Sequence, residues 1–173
     1  MRAKGMLSVP KFGTAAFMLD PFDLQLLNQV QRDDSQTAED LSRTVALSPS
    51  AIARRLRRLR SSGPIARTIA LLSPKLTEAR LRALVFIVLN EHADHDGKAA
   101  LHRRIVAARE VQFCYDLAGA VDIALMIDCA DMAEFNALCD SLLTADSTVR
   151  RYETHIVKRE VKFAPFVELG PKA

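Results

Sequence analysis

The chain has 173 residues, of which 49% are hydrophobic and 26% are charged, and its formal net charge is +3 at pH 7. This composition is typical of a globular protein with enough apolar side chains for one or two cores, and it excludes wholesale disorder. The longest apolar runs, such as residues 84–89, are far shorter than the roughly 20 residues that span a bilayer, so we expect no membrane partner.

The first 18 residues have no sustained periodicity and no unbroken apolar run before a small-residue cleavage site. We therefore expect a flexible arm over residues 1–18 rather than a signal peptide. Three cysteines, an odd count without paired spacing, lie in segments with the pattern of buried strand or helix: Cys114, Cys129 and Cys139. Reduced thiols of this kind favour a cytoplasmic location.

Three short helices are predicted in the next part of the chain. An aspartate that can serve as N-cap, followed by proline, predicts a helix over residues 21–30. A second helix of about ten residues is expected to start near Thr37. Ser48 can cap a third helix, which is expected to run to Ser61 and to end at Gly63.

The following segment, residues 65–72, is rich in β-formers and lies between a Gly-Pro and a Ser-Pro pair, which predicts a wing strand leading into a linker. From residue 81 the periodicity predicts the order βαββαβ. The expected strands are 84–89, 111–117, 123–127 and 149–161, and the expected helices are 97–108 and 132–143. This order is that of the ferredoxin-like split βαβ unit, in which both helices cover one face of a four-stranded sheet.

The predicted fold class is therefore α+β, with a winged helix-turn-helix followed by a ferredoxin-like domain. The expected domains are the arm at 1–18, the helix-turn-helix at 19–64, the wing strand and linker at 65–80, and the ferredoxin-like domain at 81–169.

The third helix has five arginines within residues 54–60 and no acidic residue. A helix-turn-helix places this helix in the major groove, where such a surface would meet double-stranded DNA. A solvated basic face is the alternative, but the three helices and the expected wing favour DNA. The residues expected to contact DNA are Ser48, Ser50, Ala51, Arg54, Arg55, Arg57 and Arg58. Ser50, Ala51 and Arg54 are expected at base edges, and the other arginines at phosphates.

Several motifs in sequence order resemble the Lrp/AsnC (leucine-responsive/asparagine-operon regulator) family. The run LDPFDLQLL at 19–27 is similar to the opening helix of the family, and 41–42, 45–50 and 55–59 with the following Gly and Ile are similar to its helix-turn-helix. The run GAVD at 119–122 is similar to the Gly-x-x-Asp turn of its ligand-sensing domain. The resemblance extends over residues 19–169.

The resemblance implies a homodimer formed through the ferredoxin-like domains, commonly assembled into tetramers or octamers, with amino acids or related small metabolites as effectors. By matching position, it implies an effector site at Gly119, Ala120, Val121 and Asp122. An alternative stays open, in which Gly119 serves backbone geometry and Asp122 caps a turn. An effector that binds one assembly state more tightly would change the spacing and affinity of the DNA-reading heads.

Two positions depart from the family pattern. The sequence ADSTV at 145–149 replaces the Leu-Pro-Gly-Val-type turn of many members, so we expect a reshaped loop before the last strand. Pro64 removes an N–H at the entry to the wing and stiffens that turn.

Other chemistry has weaker support. His92, Asp94, His95 and Asp96 form a polar loop that we expect to be solvated, so neither a metal site nor a cofactor is predicted. Cys114 and Cys139 would respond to oxidants only if exposed, and buried, inert thiols are the more common case.

No phosphate loop, nucleophile elbow or metalloprotease helix is present in the sequence, so no enzyme is predicted. Relatives with the same two-domain architecture decarboxylate siroheme, and arginines can also bind acidic tetrapyrrole side chains. A scaffold that has lost DNA binding is a third class. The cluster of arginines in the third helix argues against both the tetrapyrrole enzyme and the scaffold. The sequence predicts a sequence-specific transcriptional regulator modulated by an amino acid or related metabolite.

Overall fold

A computed structural model describes residues 17–91 and 95–170. The expected arm therefore lies almost entirely outside the described residues. Within them the chain forms two units. One comprises residues 72–161, and the other comprises residues 17–71 together with the C-terminal segment 162–170.

The helical unit contains three helices: α1 (Pro21–Val30), α2 (Ala38–Leu41) and α3 (Pro49–Ser61). Asp20 caps α1 and Thr37 caps α2, each through a capping box in which the side chain at the third helical position reaches back to the cap N–H. Ser48 caps α3 by accepting the N–H of Ala51 at 3.3 Å. The predictions for α1 and α3 are confirmed.

Seven apolar side chains with at most 7% exposure form the core of this unit: Leu26, Leu27, Leu41, Val45, Ile52, Leu56 and Leu59. They come from one face of α1, the end of α2, the turn after it and the inner stripe of α3. This pattern follows from the 3.6-residue spacing of the apolar positions on each helix.

The prediction of a ten-residue second helix is wrong, because α2 has four residues. Beyond Leu41 the backbone continues in tight turns, and the hydroxyl groups of Ser42 and Thr44 donate to the carbonyl groups of Glu39 and Leu41. Such local side-chain bonds compete with helical continuation. The chain thereby turns back so that Val45 enters the core.

The prediction of a wing strand over residues 65–72 is also wrong. Residues 65–72 form no strand, and Ile69 and Leu71 are more than 60% exposed. A strand needs a neighbour to pair its N–H and C=O groups, and the described chain supplies none at this position. A 3-10 turn at Pro74–Leu76 follows.

The second unit has the predicted order βαββαβ: β1 (Leu81–Leu89), α4 (His95–Ala107), β2 (Val111–Asp116), β3 (Ile123–Cys129), α5 (Met132–Cys139) and β4 (Val149–Ile156). A π-helical turn at Asp140–Thr144 extends α5. The strand order is β2-β3-β1-β4, with antiparallel neighbours throughout. The fold class is the predicted α+β.

Alternate residues of the central strands face the two helices. Ala83, Val85 and Ile87 of β1 belong to one fully buried cluster with Leu101 and Ile105 of α4. Side chains of β3, α5 and the π-helical turn complete this core. The other alternating residues of the strands form the opposite face of the sheet, away from α4 and α5, which we call the outer sheet face.

The last strand ends at Ile156, five residues earlier than predicted. Its only partner in the described chain is β1, and Ile156 pairs with Ala83 close to the start of that strand. One more bond follows, from the Val157 N–H to the Arg82 carbonyl at 2.8 Å. Beyond it β1 offers no further partner.

No helix within the two described ranges is long and apolar enough to cross a membrane.

Candidate nucleic-acid interface and effector turn

The outward face of α3 is polar and basic. Its buried stripe, Ile52, Leu56 and Leu59, packs into the helical unit. On the other side, Arg54 and Arg57 are exposed and form no ion pair with any described residue. These two guanidinium groups are one helical turn apart, so they lie on the same face.

The start of α3 is also accessible to solvent. Ser48 and Ser50 are exposed, their hydroxyl oxygens are 3.2 Å apart, and Ala51 is half-buried. The Ser48 hydroxyl accepts the Ala51 N–H as the helix cap. Ser50 precedes Arg54 by four residues and Arg57 by seven, so these three side chains share one exposed face of α3, with Ser48 at its N-terminal end.

Arg55 lies on a different side of α3, where it binds α1. Its Nη1 donates to Asp20 Oδ2 at 2.6 Å and to Asp23 Oδ1 at 2.9 Å, and its side chain is 23% exposed. Asp23 is 1% exposed and also accepts from Arg58 Nη2 at 2.5 Å. One buried carboxylate therefore connects α1 to two arginines of α3.

The pKa values of Asp20 and Arg55 are both shifted in the direction that favours their charged forms. Partial burial opposes ionisation of Asp20, but the Asp23 N–H and the Arg55 guanidinium outweigh it and hold the pKa of Asp20 below its ordinary value. Hydrogen bonds to Asp20 and Asp23 raise the pKa of Arg55. Arg55 thus orients α3 on α1, whereas Arg58, which is 51% exposed, has part of its side chain available to solvent.

Asp20 and Asp23 are not among the residues that the sequence patterns predicted to be functional. A signal was present, because two aspartates three residues apart on α1 match two arginines three residues apart on α3. Asp20 was interpreted only as a helix cap, a role that it also has.

The C-terminal arginine of α3 is paired as well. Arg60 Nη2 donates to Asp34 Oδ1 at 2.7 Å, and the second oxygen of Asp34 accepts from the Thr68 hydroxyl at 3.0 Å. The helix ends at Ser61, and Gly63, two residues later, has a φ of +98°, in the left-handed region that favours glycine. Arg54 and Arg57 therefore remain the unpaired cations of α3 within the described chain.

The expected effector turn lies between β2 and β3. Gly119 and Ala120 are exposed, Val121 is half-buried, and a Cβ placed on Gly119 would meet no atom within 4 Å. Asp122 has a structural role: its Oδ2 accepts the Leu89 N–H at 2.8 Å. Its own N–H donates to the Ile87 carbonyl at 2.9 Å, so Asp122 fixes the turn to β1.

The loop before β4 borders an open recess of about 400 Å³. Its lining residues are Arg104, Ser141, Ala145, Asp146 and Ser147. Asp146 forms an ion pair with Arg104 of α4, and its Oδ1 accepts the Thr148 N–H at 2.7 Å. The acidic side chain of Asp146 thus ties this loop to α4.

The remaining sequence candidates are less informative. His92 and Asp94 lie outside the described residues, as does the side chain of His95, and no group of metal ligands occurs in the part of the chain that the structure describes. Burial raises the pKa of both the Cys114 and the Cys139 thiols to about 11. These thiols are therefore protonated at neutral pH and poorly nucleophilic.

Both units match known protein families. Residues 19–65 match the family model for a winged helix-turn-helix DNA-binding domain, and residues 82–165 match the Lrp/AsnC ligand-binding domain. A helix-turn-helix followed by such a domain defines a DNA-binding transcription regulator with a small-molecule ligand.

Relatives extend this match over most of the chain. The leucine-responsive regulatory protein of Haemophilus influenzae is 35% identical over 151 residues, which cover 87% of this chain and 90% of the relative. The protein of the same name from Escherichia coli K12 is 33% identical over 144 residues, covering 83% and 87%. This chain belongs to the Lrp/AsnC family of transcription regulators.

A solved structure agrees with this assignment. The transcriptional regulator from Neisseria meningitidis, crystallised as a complex with L-methionine, superposes with a TM-score of 0.75 and is 28% identical. The alignment covers 88% of this chain and 96% of that protein.

Proposed function

We propose that this chain is a sequence-specific regulator in which the outward face of α3 reads the major groove, and that an amino acid or related metabolite modulates its assembly or its DNA affinity. The observation that carries the proposal is the unpaired state of Arg54 and Arg57 on the accessible face of α3. Arginines that bind DNA must exchange water, not a protein carboxylate, for phosphate or base contacts.

The proposed contact set retains all seven sequence candidates but assigns them different roles. Ser50, Ala51 and Arg54 approach base edges, where arginine can bind guanine through two hydrogen bonds. Ser48, Arg57 and the exposed part of Arg58 contact the backbone. Arg55 acts mainly by fixing the orientation of α3 through Asp20 and Asp23.

The test is fluorescence-anisotropy titration of a duplex from upstream of the protein's own gene and of a scrambled duplex, at one fixed salt concentration. Arg54→Ala with Arg57→Ala should weaken binding to the specific duplex by about 10- to 100-fold, because a two-bond arginine contact contributes about 1–3 kcal/mol. The matched control is Arg103→Ala, which removes an exposed arginine from α4. Equal affinity of wild type for both duplexes contradicts the proposal.

We further propose that the exposed turn at residues 119–122 contributes to the effector site. The relatives named for leucine and the regulator crystallised with L-methionine support amino acids as the first ligands to test. The turn is accessible at Gly119 and Ala120, while Asp122 is already engaged by β1.

Isothermal titration with L-leucine and L-methionine tests this assignment. Ala120→Asp should abolish heat of binding because it adds charge to the turn and leaves the bonds of Asp122 in place. Ala133→Asp, at an exposed position in the first turn of α5, is the control. Unchanged binding by the Ala120 variant would exclude the turn from the site.

We propose a homodimer formed through the outer sheet face, with further assembly to a tetramer or octamer. Apolar and aromatic side chains line this face: Leu84, Phe86, Phe113, Tyr115 and Met126. The Phe113 and Tyr115 rings are 4.9 Å apart, and Tyr115 is 58% exposed. Exposed apolar patches of this kind are typical of protein interfaces.

Sedimentation velocity of Tyr115→Glu tests the proposed interface. We expect loss of the dimer, whereas Val106→Glu, at a 47% exposed position on α4, should sediment as wild type. A dimer would present two α3 helices, so DNase footprinting should show a near-palindrome with half-sites about one helical turn, or a multiple of it, apart. An unchanged dimer in the Tyr115 variant contradicts this interface.

We infer that the protein acts in the cytoplasm by binding and not by catalysis, in keeping with relatives that are transcriptional regulators. The siroheme-decarboxylase alternative makes a different prediction. A tetrapyrrole enzyme would change the visible absorption spectrum of added siroheme, and the regulator would not.

A further inference from the structure

The C-terminal segment of the chain lies along α1 of the helical unit as a bound peptide would. Asn28, in the last turn of α1, and Gln31, its C-cap residue, each bind the backbone of one residue of this segment through both ends of the side-chain amide. Two-sided amide pairing of this kind copies the hydrogen bonds that a neighbouring β-strand would supply.

The geometry of the two amides is regular. Asn28 Nδ2 donates to the Leu169 carbonyl at 2.7 Å, and the Leu169 N–H donates to Asn28 Oδ1 at 2.9 Å. Gln31 Nε2 donates to the Val167 carbonyl at 2.5 Å, and the Val167 N–H donates to Gln31 Oε1 at 2.9 Å. The bound residues alternate, as they do along one edge of an extended strand.

Side-chain contacts add selectivity to this backbone recognition. Arg32 Nη2 donates to Glu168 Oε2 at 2.8 Å, and its guanidinium lies 4.4 Å from the centre of the Phe166 ring. Asn28 Nδ2 also donates to Glu168 Oε1 at 3.1 Å. Leu169 packs against the apolar core of the helical unit. The groove thus reads an extended segment with the order aromatic, any residue, acid, aliphatic.

We propose that the C-terminal end of α1, with Asn28 and the two following residues Gln31 and Arg32, is a peptide-docking site whose occupant is residues 166–169 of the same chain. The docked segment adds to the core of the helical unit, which among the described residues consists of seven buried apolar side chains. Small domains bury a limited share of their surface and benefit from each added apolar contact. Amide exchange and thermal stability report on docking of this segment independently of DNA binding.

The first test is hydrogen–deuterium exchange, read by mass spectrometry on C-terminal peptides of the full-length protein. In wild type, the amides of Val167 and Leu169 should be protected. In Asn28→Ala with Gln31→Ala, their protection should fall by about tenfold or more, since each loses its only described acceptor. Gln25→Ala, an exposed amide on the same helix, is the control. Wild-type exchange as fast as that of a free peptide would overturn the proposal.

Thermal unfolding gives a second, independent readout. Leu169→Ala should lower the melting temperature by roughly 4–8 °C if the lost contact contributes about 1 kcal/mol in a small domain. Val167→Ala, which removes a 65% exposed side chain and keeps both backbone bonds, should melt as wild type. Equal melting of the Leu169 variant and wild type would contradict a completing role for the segment.

A mixing experiment decides whether the occupant comes from the same chain. The Asn28→Ala, Gln31→Ala protein supplies an intact C-terminal segment, and a Val167→Pro, Leu169→Asp protein supplies an intact groove. Mixing them should leave the intact segment unprotected, because docking is within one chain. Restored protection would show that a second copy provides the occupant and would overturn the assignment.

Discussion

Replacement of Asp23 by asparagine should destabilise the helical unit more than any exposed charge change. Asp23 is 1% exposed and accepts hydrogen bonds from Arg55 at 2.9 Å and Arg58 at 2.5 Å. Removing one partner of a fully buried pair costs about 3–5 kcal/mol. The guanidinium groups are 23% and 51% exposed, so solvent screening reduces the expected cost to about 2 kcal/mol.

The assay is thermal and urea unfolding followed by far-ultraviolet circular dichroism. A loss of about 2 kcal/mol corresponds to a decrease of roughly 8–16 °C in the melting temperature of a domain of this size. Glu39→Gln changes an exposed carboxylate of the same unit and serves as the control. A loss below about 0.5 kcal/mol for the Asp23 variant, the level of ordinary surface substitutions, would refute the view that this carboxylate holds α3 on α1.

Three further outcomes are expected. Burial raises the pKa of the Cys114 and Cys139 thiols to about 11. At pH 7.5 these thiols should therefore react with an aromatic disulfide reagent far more slowly in the native protein than in urea. Fast labelling of the native protein would contradict this prediction. Asp128 at the end of β3 forms ion pairs with Arg80 and Arg82. Burial opposes ionisation of Asp128, but these two guanidinium groups hold its pKa below the ordinary value, and the pKa of Asp20 is likewise lowered. These two carboxylates therefore stabilise the folded protein fully above the unfolded-state pKa of about 3.9, and this stabilisation is lost as the pH falls below it. The urea concentration at the unfolding midpoint should be constant from about pH 5 to 7 and should decrease below about pH 4. Asp128→Asn should reduce that decrease, and an unchanged acid profile would count against this ion pair. Leu26→Ala, at a position with 0% exposure, should cost about 2–5 kcal/mol of unfolding free energy in urea titrations, and a cost below about 1 kcal/mol would place Leu26 outside the core.

Local signals were sufficient to predict α1 and α3. Each has a capping side chain, a proline at the first helical position and an apolar stripe with helical spacing. The same reasoning over-extended α2, because Ser42 and Thr44 bond locally in a way that periodicity does not reveal. The order βαββαβ was predicted because the apolar residues of each strand and each helix have the spacing typical of that element. The order of strands in the sheet then follows from the split βαβ topology.

Contacts between distant parts of the sequence could not be predicted. Asp23 and Arg55 are 32 residues apart, and Asn28 and Leu169 are 141 residues apart. No periodic pattern links such positions. The sequence therefore identified the arginines of α3 as a group but did not separate the paired Arg55 from the unpaired Arg54 and Arg57, nor did it place residues 162–170 with the helices.

The most direct test of the central claim, that the outward face of α3 holds DNA, is the salt dependence of binding by Arg57→Ala. If Arg57 contacts a phosphate, the slope of the logarithm of the association constant against the logarithm of salt concentration should become less negative by about 0.9 per bound protomer. The Arg103→Ala control should keep the wild-type slope. An unchanged slope for the Arg57 variant would contradict the claim that this face of α3 contacts the DNA backbone.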